Sequence, residues 1–232
     1  MNNACRRRSA SLSRGASRVT APFSRPNRRR DDDIWTSHAT QWAFYLLSRH
    51  PDAQRKVLEE VQRAVGVGRT DIPEEALARM PYVKAVIKET LRLYPVAPFL
   101  TRILDQDITL DGYSVPAGKL ILMSLYTTGR DPNSFSEPDA FRPDRWLREN
   151  RPESNVNSWA CLPFGLGARS CIGRRVAEVQ MQFLLARTIQ RFDLSPGQEA
   201  EVGIRMRMIT TPENPISLKL TPRDGSVQPI GK

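Results

Sequence analysis

No stretch of this 232-residue chain approaches the roughly 18 to 20 uninterrupted apolar residues of a membrane span, and no secretory hydrophobic segment is present. The chain as it stands reads as soluble. Cysteine is scarce: Cys5, Cys161 and Cys171 are odd in number, widely spaced, and in no CxxC or Cys/His zinc pattern. That excludes a disulfide scaffold or a zinc finger and fits a reducing compartment. Histidine is scarcer still, and His38 and His50 read as surface or core residues rather than ligands. Acidic residues are missing from positions 1–30, which hold nine arginines; removing those nine from the 35 basic residues leaves 26 against 25 acidic ones. The folded part is thus nearly neutral. That argues against a basic groove along a folded surface and confines any polyanion binding to the start of the chain. There is no internal repeat.

What is present is globular composition, 40% apolar and 26% charged, with 18 prolines interrupting the helices. Residues 1–33 are Arg- and Ser-rich, poor in large apolar residues and expected to be disordered. They are open to three readings: an uninformative leader, a mitochondrial transit peptide, or an Arg-rich RNA-binding tail. One region, 34–222, follows, with a loose tail at 223–232. Apolar spacing predicts a buried helix from Ile34 to Ser48 and an amphipathic one from Pro51 to Val65, stopped by Gly66. A short turn over 72–79 precedes a third helix from Tyr82 to Tyr94. Between Phe99 and Leu125, apolar runs broken at Asp111-Gly112 and Pro116-Ala117-Gly118 predict a small antiparallel sheet. Residues 129–170 are a long irregular segment, Val176 to Phe192 is helical, and a hairpin strand closes the fold. The class is mainly α with small β-sheets. Trp35, Trp42, Trp146 and Trp159 read as packing anchors, and Cys161 as a buried small hydrophobe.

The chemistry is concentrated in Pro163-Phe-Gly-Leu-Gly-Ala-Arg-Ser-Cys-Ile-Gly173, a cysteine framed by glycines and followed at once by a helix. A helix N-terminus and Arg169 both favour a thiolate at Cys171, and glycines let backbone approach something flat and large. The segment resembles the haem loop of the cytochromes P-450, Phe-x-x-Gly-x-Arg-x-Cys-x-Gly, through Phe164, Gly167, Arg169, Cys171 and Gly173. The resemblance covers about residues 36 to 220 and implies the C-terminal, haem-binding half of that fold, truncated at the central helix. It implies haem b (iron protoporphyrin IX) as cofactor, with Cys171 as the axial iron ligand, Phe164 shielding the sulphur, and Arg169 and Arg102 on the haem propionates. Glu89-Thr-Leu-Arg92, one helix turn apart, is similar to the family's Glu-x-x-Arg pair, and Arg145 in Phe141-Arg-Pro-Asp-Arg-Trp146 is similar to the arginine that joins it. These three would form a buried structural network.

Lys84, Lys88, Arg174 and Arg175 resemble the docking face of the mitochondrial branch, which receives electrons from an adrenodoxin-like ferredoxin. That branch implies steroid monooxygenation on the matrix side of the mitochondrial inner membrane, with room for peripheral membrane association and no nucleic acid. The run from Phe99 to Asp131 is similar to the arthropod ecdysteroid 2-hydroxylases of the shadow type, implying an ecdysteroid precursor as the lipophilic substrate. The chain also departs from the family. It has about half the expected length, and the family's acid-Thr-Thr/Ser group falls on Ile34, Trp35 and Thr36, where only Thr36 matches; Ser37 is a further stand-in. Two rival readings follow: a truncated remnant that binds no haem by itself, and an Arg-rich-tail nucleic-acid binder.

Overall fold

The computed structural model describes residues 18–19, 34–66, 68–69, 71–150 and 157–223. Apart from Arg18 and Val19, the expected leader lies outside the described residues, as does the tail beyond Arg223.

Four helices build the core. In α1 (Ile34–Arg49), Ala39, Trp42, Ala43, Leu46 and Leu47 recur at helical spacing and are buried. Helix α2 (Pro51–Val65) opens with a proline that forfeits only an amide the first turn leaves unpaired, buries Val57, Val61 and Val65, and ends at Gly66 with φ 100. After the one-turn helix α3 (Glu74–Ala78), in place of the expected turn, α4 (Pro81–Leu93) is buried on nearly every side. Downstream, α5 (Leu125–Thr128) is a single turn, and α6 (Arg174–Arg191) packs Met181, Leu185, Ala186 and Ile189 against α1, α2 and α4. An aromatic trio locks α1 to the end of α4. Trp42 stacks on Tyr94 at 3.9 Å, and Tyr45 meets Trp42 edge-on at 5.6 Å. Burial pushes the Tyr94 hydroxyl up to about 12.

Two side chains splice helices to their neighbours. Glu60 of α2 is buried and accepts hydrogen bonds from the amides of Tyr82 (2.8 Å) and Val83 (2.9 Å), capping the first turn of α4, which has no cap of its own. Gln54 accepts from the Leu194 amide at 2.8 Å and donates to the Leu194 carbonyl at 2.9 Å, fixing β6 (Phe192–Pro196) to α2.

The region from Phe99 to Leu125, expected as one sheet, divides into two ladders. Strand β2 (Phe99–Ile103) pairs antiparallel with β5 (Leu120–Ser124), and β3 (Ile108–Leu110) pairs with β4 (Tyr113–Val115). Pro116 has no amide to continue the ladder, and the Ala117 amide donates to the Asp107 carboxylate at 2.7 Å instead of to a strand. The inner hairpin turns at Asp111 (φ 47) and Gly112 (φ 82), the left-handed pair a two-residue turn requires. Near the C-terminus, β7 (Ile204–Met206) pairs with β8 (Thr210–Pro212). Strand β9 (Leu218–Pro222) lies between β6 and β1 (Arg18–Val19). Arg223, assigned by sequence to the tail, is tied down by the carbonyls of Ile189 and Phe192 and by Asp193 at 2.8 Å.

Two expected anchors are corrected. Trp42 is fully buried, but Trp35 and Trp159 are 41% and 69% exposed. Trp35 sits in the first turn of α1, before that helix enters the core, and Trp159 on a 3-10 turn at the edge of a cleft.

Candidate functional site

The cysteine loop is shaped by its own backbone. Gly165 (φ 71) and Gly167 (φ 70) take left-handed conformations closed to other residues without strain, so the chain can double back within a few residues. The Cys171 amide donates to the Phe164 carbonyl at 2.8 Å, and the Ser170 amide to the Gly167 carbonyl at 3.0 Å. Those bonds close residues 164–171 into a compact loop that opens directly into α6, with Gly173 at its N-cap position. Phe164, Gly167, Arg169, Cys171 and Gly173 are thus gathered in one loop. The Cys171 side chain is exposed at its end, beside a wholly bare Ile172. A Cβ added at Gly167 would meet nothing within 4 Å. That open surface fits the close approach of a planar group such as haem, and the thiol beside the first turn of α6 is the donor such an iron takes.

Arg169 is exposed and has no hydrogen bond or ion pair among the described residues. Arg102 stands on β2, where its Nη1 donates to the Thr101 carbonyl at 2.7 Å. Thr36 lies in the first turn of α1, and its carbonyl accepts from the Thr40 hydroxyl at 2.8 Å.

Beneath the loop, the second group of expected residues meets in the interior. Glu89, Arg92 and Arg145 are 0%, 1% and 2% exposed. Arg92 grips Glu89 bidentately, Nε to Oε2 at 2.9 Å and Nη2 to Oε1 at 2.7 Å, and Arg145 Nε reaches Oε1 at 3.1 Å. Two further donors escaped the sequence reading: Trp146 Nε1 to Oε2 at 2.8 Å and the Arg142 amide to Oε1 at 2.9 Å. The arginines' remaining N–H groups point into the irregular segment. Arg92 donates to the carbonyls of Gly129, Pro138 and Ala140, and Arg145 to those of Ser136 and Glu137. Segment 129–146 has no strand ladder, and beside its own turn bonds five of its carbonyls are held by these guanidinium groups, so the buried charges specify a path rather than merely cancel. Burial depresses the Arg145 guanidinium and the Glu89 carboxylate opposes the shift.

Lys84, Lys88 and Arg174 share one cleft below the loop, where the Arg174 guanidinium lies 5.5 Å from the centre of the Phe164 ring. Arg175 is exposed on α6. Cys161 lines the same cleft, and burial pushes its thiol up to about 12. No group of three or more potential metal-ligating His, Cys, Asp or Glu side chains occurs among the described residues.

A cytochrome P450 family model matches residues 36–220. The mitochondrial sterol 26-hydroxylase of Oryctolagus cuniculus is 43% identical over 192 residues, covering 81% of this chain and 36% of that enzyme. The mitochondrial 25-hydroxyvitamin D-1 alpha hydroxylase of Homo sapiens is 41% identical over 189 residues, covering 81% and 37%. The mitochondrial cholesterol side-chain cleavage enzyme of Hypanus americanus is 40% identical over 187 residues, covering 81% and 35%. The matched region therefore spans little more than a third of these relatives.

Proposed function

This chain belongs to the cytochrome P450 family, and from that membership we propose that it supplies the haem-thiolate part of a monooxygenase with Cys171 as the axial ligand. The observation that carries the proposal is the exposed Cys171 thiol at the end of a loop closed by its own amide on the Phe164 carbonyl. When bound, haem iron supplies oxygen activation: one atom of O2 enters a substrate C–H bond and the other leaves as water, with two electrons and two protons consumed.

The chain's own residues do the rest. The bond from the Cys171 amide to the Phe164 carbonyl and the start of α6 hold the thiol at the loop surface. Phe164 packs against the hydrophobic core and shields the loop from below. Arg169, without a partner among the described residues, and Arg102 would hold propionates. Glu89, Arg92 and Arg145 act by positioning, since they fix the segment that leads into the loop. Thr36 and Ser37 are the hydroxyls left to manage protons on α1, because Ile34 and Trp35 carry no proton-transferring group.

The relatives' names, a sterol 26-hydroxylase, a vitamin D hydroxylase and a cholesterol side-chain cleavage enzyme, support a lipophilic sterol-like substrate, a mitochondrial setting and an adrenodoxin-like ferredoxin as electron donor. An ecdysteroid precursor belongs to that substrate class. Lys84, Lys88, Arg174 and Arg175 would meet the ferredoxin's acidic face. No helix among the described residues is long and apolar enough to cross a membrane.

A second reading, a chain that captures no haem unaided, is favoured by bare apolar side chains on β2 and β5, where Ile103, Leu120 and Leu122 face outward uncovered. One experiment separates the two. The chain is expressed with haem supplied, reduced and exposed to carbon monoxide, and its Soret spectrum is recorded beside that of Cys171→Ser. A red-shifted thiolate band lost in the variant is the expected result. Absence of haem uptake by the wild type would establish the second reading.

A further inference from the structure

The cleft below the cysteine loop has a chemistry of its own. It encloses about 710 Å³ between α4, the start of α6 and the loop, within the range typical of small-molecule sites. Its base is apolar and aromatic, with Ile87, Leu91, Trp146 and Phe164, and its wall carries the largely bare ring of Trp159. Three cations line it. Arg174 is satisfied by Glu178 at 2.9 Å. Lys84 Nζ donates to the Ala78 carbonyl at 3.2 Å, and Lys88 Nζ lies 5.8 Å from the centre of the Trp146 ring. Neither ammonium forms a salt bridge among the described residues, although Lys84 lies near enough to the buried Glu60 to act on its carboxyl. Glu74 is the one other acid of the lining, so positive charge is in excess.

This combination selects a ligand class. Apolar walls disfavour a small, strongly hydrated anion, which would lose its water without compensation. Ammonium groups at the wall disfavour a cation and give an uncharged hydrocarbon nothing to orient it. We infer that the cleft binds an amphipathic carboxylate, its head group held by Lys84 and Lys88 and its hydrocarbon body laid across Trp159 and Phe164. Both lysines also belong to the proposed ferredoxin face, so on that reading an occupied cleft competes with electron delivery.

The test needs neither haem nor ferredoxin, so it stands apart from the spectral test of Cys171. Radiolabelled dodecanoate, kept below its micelle concentration, is dialysed against the full chain. One saturable equivalent is expected, with dodecanol and dodecyltrimethylammonium binding at least tenfold more weakly. Lys84→Ala and Lys88→Ala should each weaken dodecanoate binding roughly tenfold, as expected for losing a charged hydrogen bond, while Lys84→Arg and Lys88→Arg retain it. Thermal melts of each variant report whether the fold is intact, and the arginine variants keep the test decisive if an alanine variant melts early. Non-saturating uptake, which the nine arginines of residues 1–30 would produce, overturns the inference. So does equal binding of dodecanol, or unchanged affinity when both lysines are replaced.

Discussion

Glu89 accepts five hydrogen bonds inside the protein, and two of its partners are guanidinium groups with no route to water. Glu89→Ala would leave both cations buried and uncompensated, a loss of about 3–5 kcal/mol; urea unfolding should show it as a collapse of the cooperative transition. Arg145→Lys is the gentler probe. A lysine cannot span Glu89, Ser136 and Glu137 together, so the variant should fold with a lower midpoint and a loosened segment 129–146, read by hydrogen exchange. Cys161 tests burial by pH. Its thiol is raised from the ordinary 9.0 to about 12, so alkylation by iodoacetamide at pH 8 should run about a thousandfold slower than at an unhindered cysteine and quicken with each pH unit. The sign for stability follows. A raised thiol favours the fold fully below pH 9, and that contribution is lost as pH climbs towards 12, observable as a melting temperature that falls more steeply in wild type than in Cys161→Ala, where the buried tyrosines alone remain to titrate.

Elements are joined here by single side chains at backbone ends. The first turn of α4 has its amides covered by Glu60 of α2, whose carboxyl is raised mainly by burial, with the two amide bonds pulling the other way. Glu60→Ala should cost about 1–3 kcal/mol through unpaired buried amides, with the loss in protection localised to Tyr82 and Val83. At the far end of α4, Gly129 passes so near that an added Cβ would lie 2.7 Å from the Arg92 carbonyl and 3.0 Å from that of Leu125. Both obstacles are backbone, which cannot yield as a flexible side chain would. Gly129→Ala should therefore destabilise by about 1–3 kcal/mol through overpacking, measurable by chemical denaturation.

At the scale of the whole molecule, helices α1, α2, α4 and α6 form a continuous apolar core while the β2–β5 ladder presents bare leucines and isoleucine to the outside. The cysteine loop sits at the edge of that core, over the cleft carrying Lys84 and Lys88. If the proposed ferredoxin face is correct, Lys84→Glu with Lys88→Glu should slow reduction by a ferredoxin in stopped-flow measurements, with a weaker salt dependence than wild type, because long-range attraction between exposed charges is what salt screens.

Much of this was legible in the sequence because it is local. The cysteine loop is contiguous, its glycines and helix start are set by neighbouring residues, and Glu89 and Arg92 share a helix face by spacing alone. The helices α1, α2, α4 and α6 follow from apolar periodicity, with prolines and Gly66 marking ends. Tertiary structure decided what depends on approach between distant segments. Trp146 lies 57 positions from the carboxylate it bonds, Glu60 caps a helix it does not belong to, and Gly129 is required by a carbonyl 37 positions away. Likewise only the packed chain could show Trp159 bare rather than buried, or bring Lys84, Lys88 and Arg174 around one cleft. Spacing along a chain fixes which side chains share a face or a loop, but burial, cavity shape and the pairing of charges arise when faces meet, and no residue carries that meeting in its own neighbourhood.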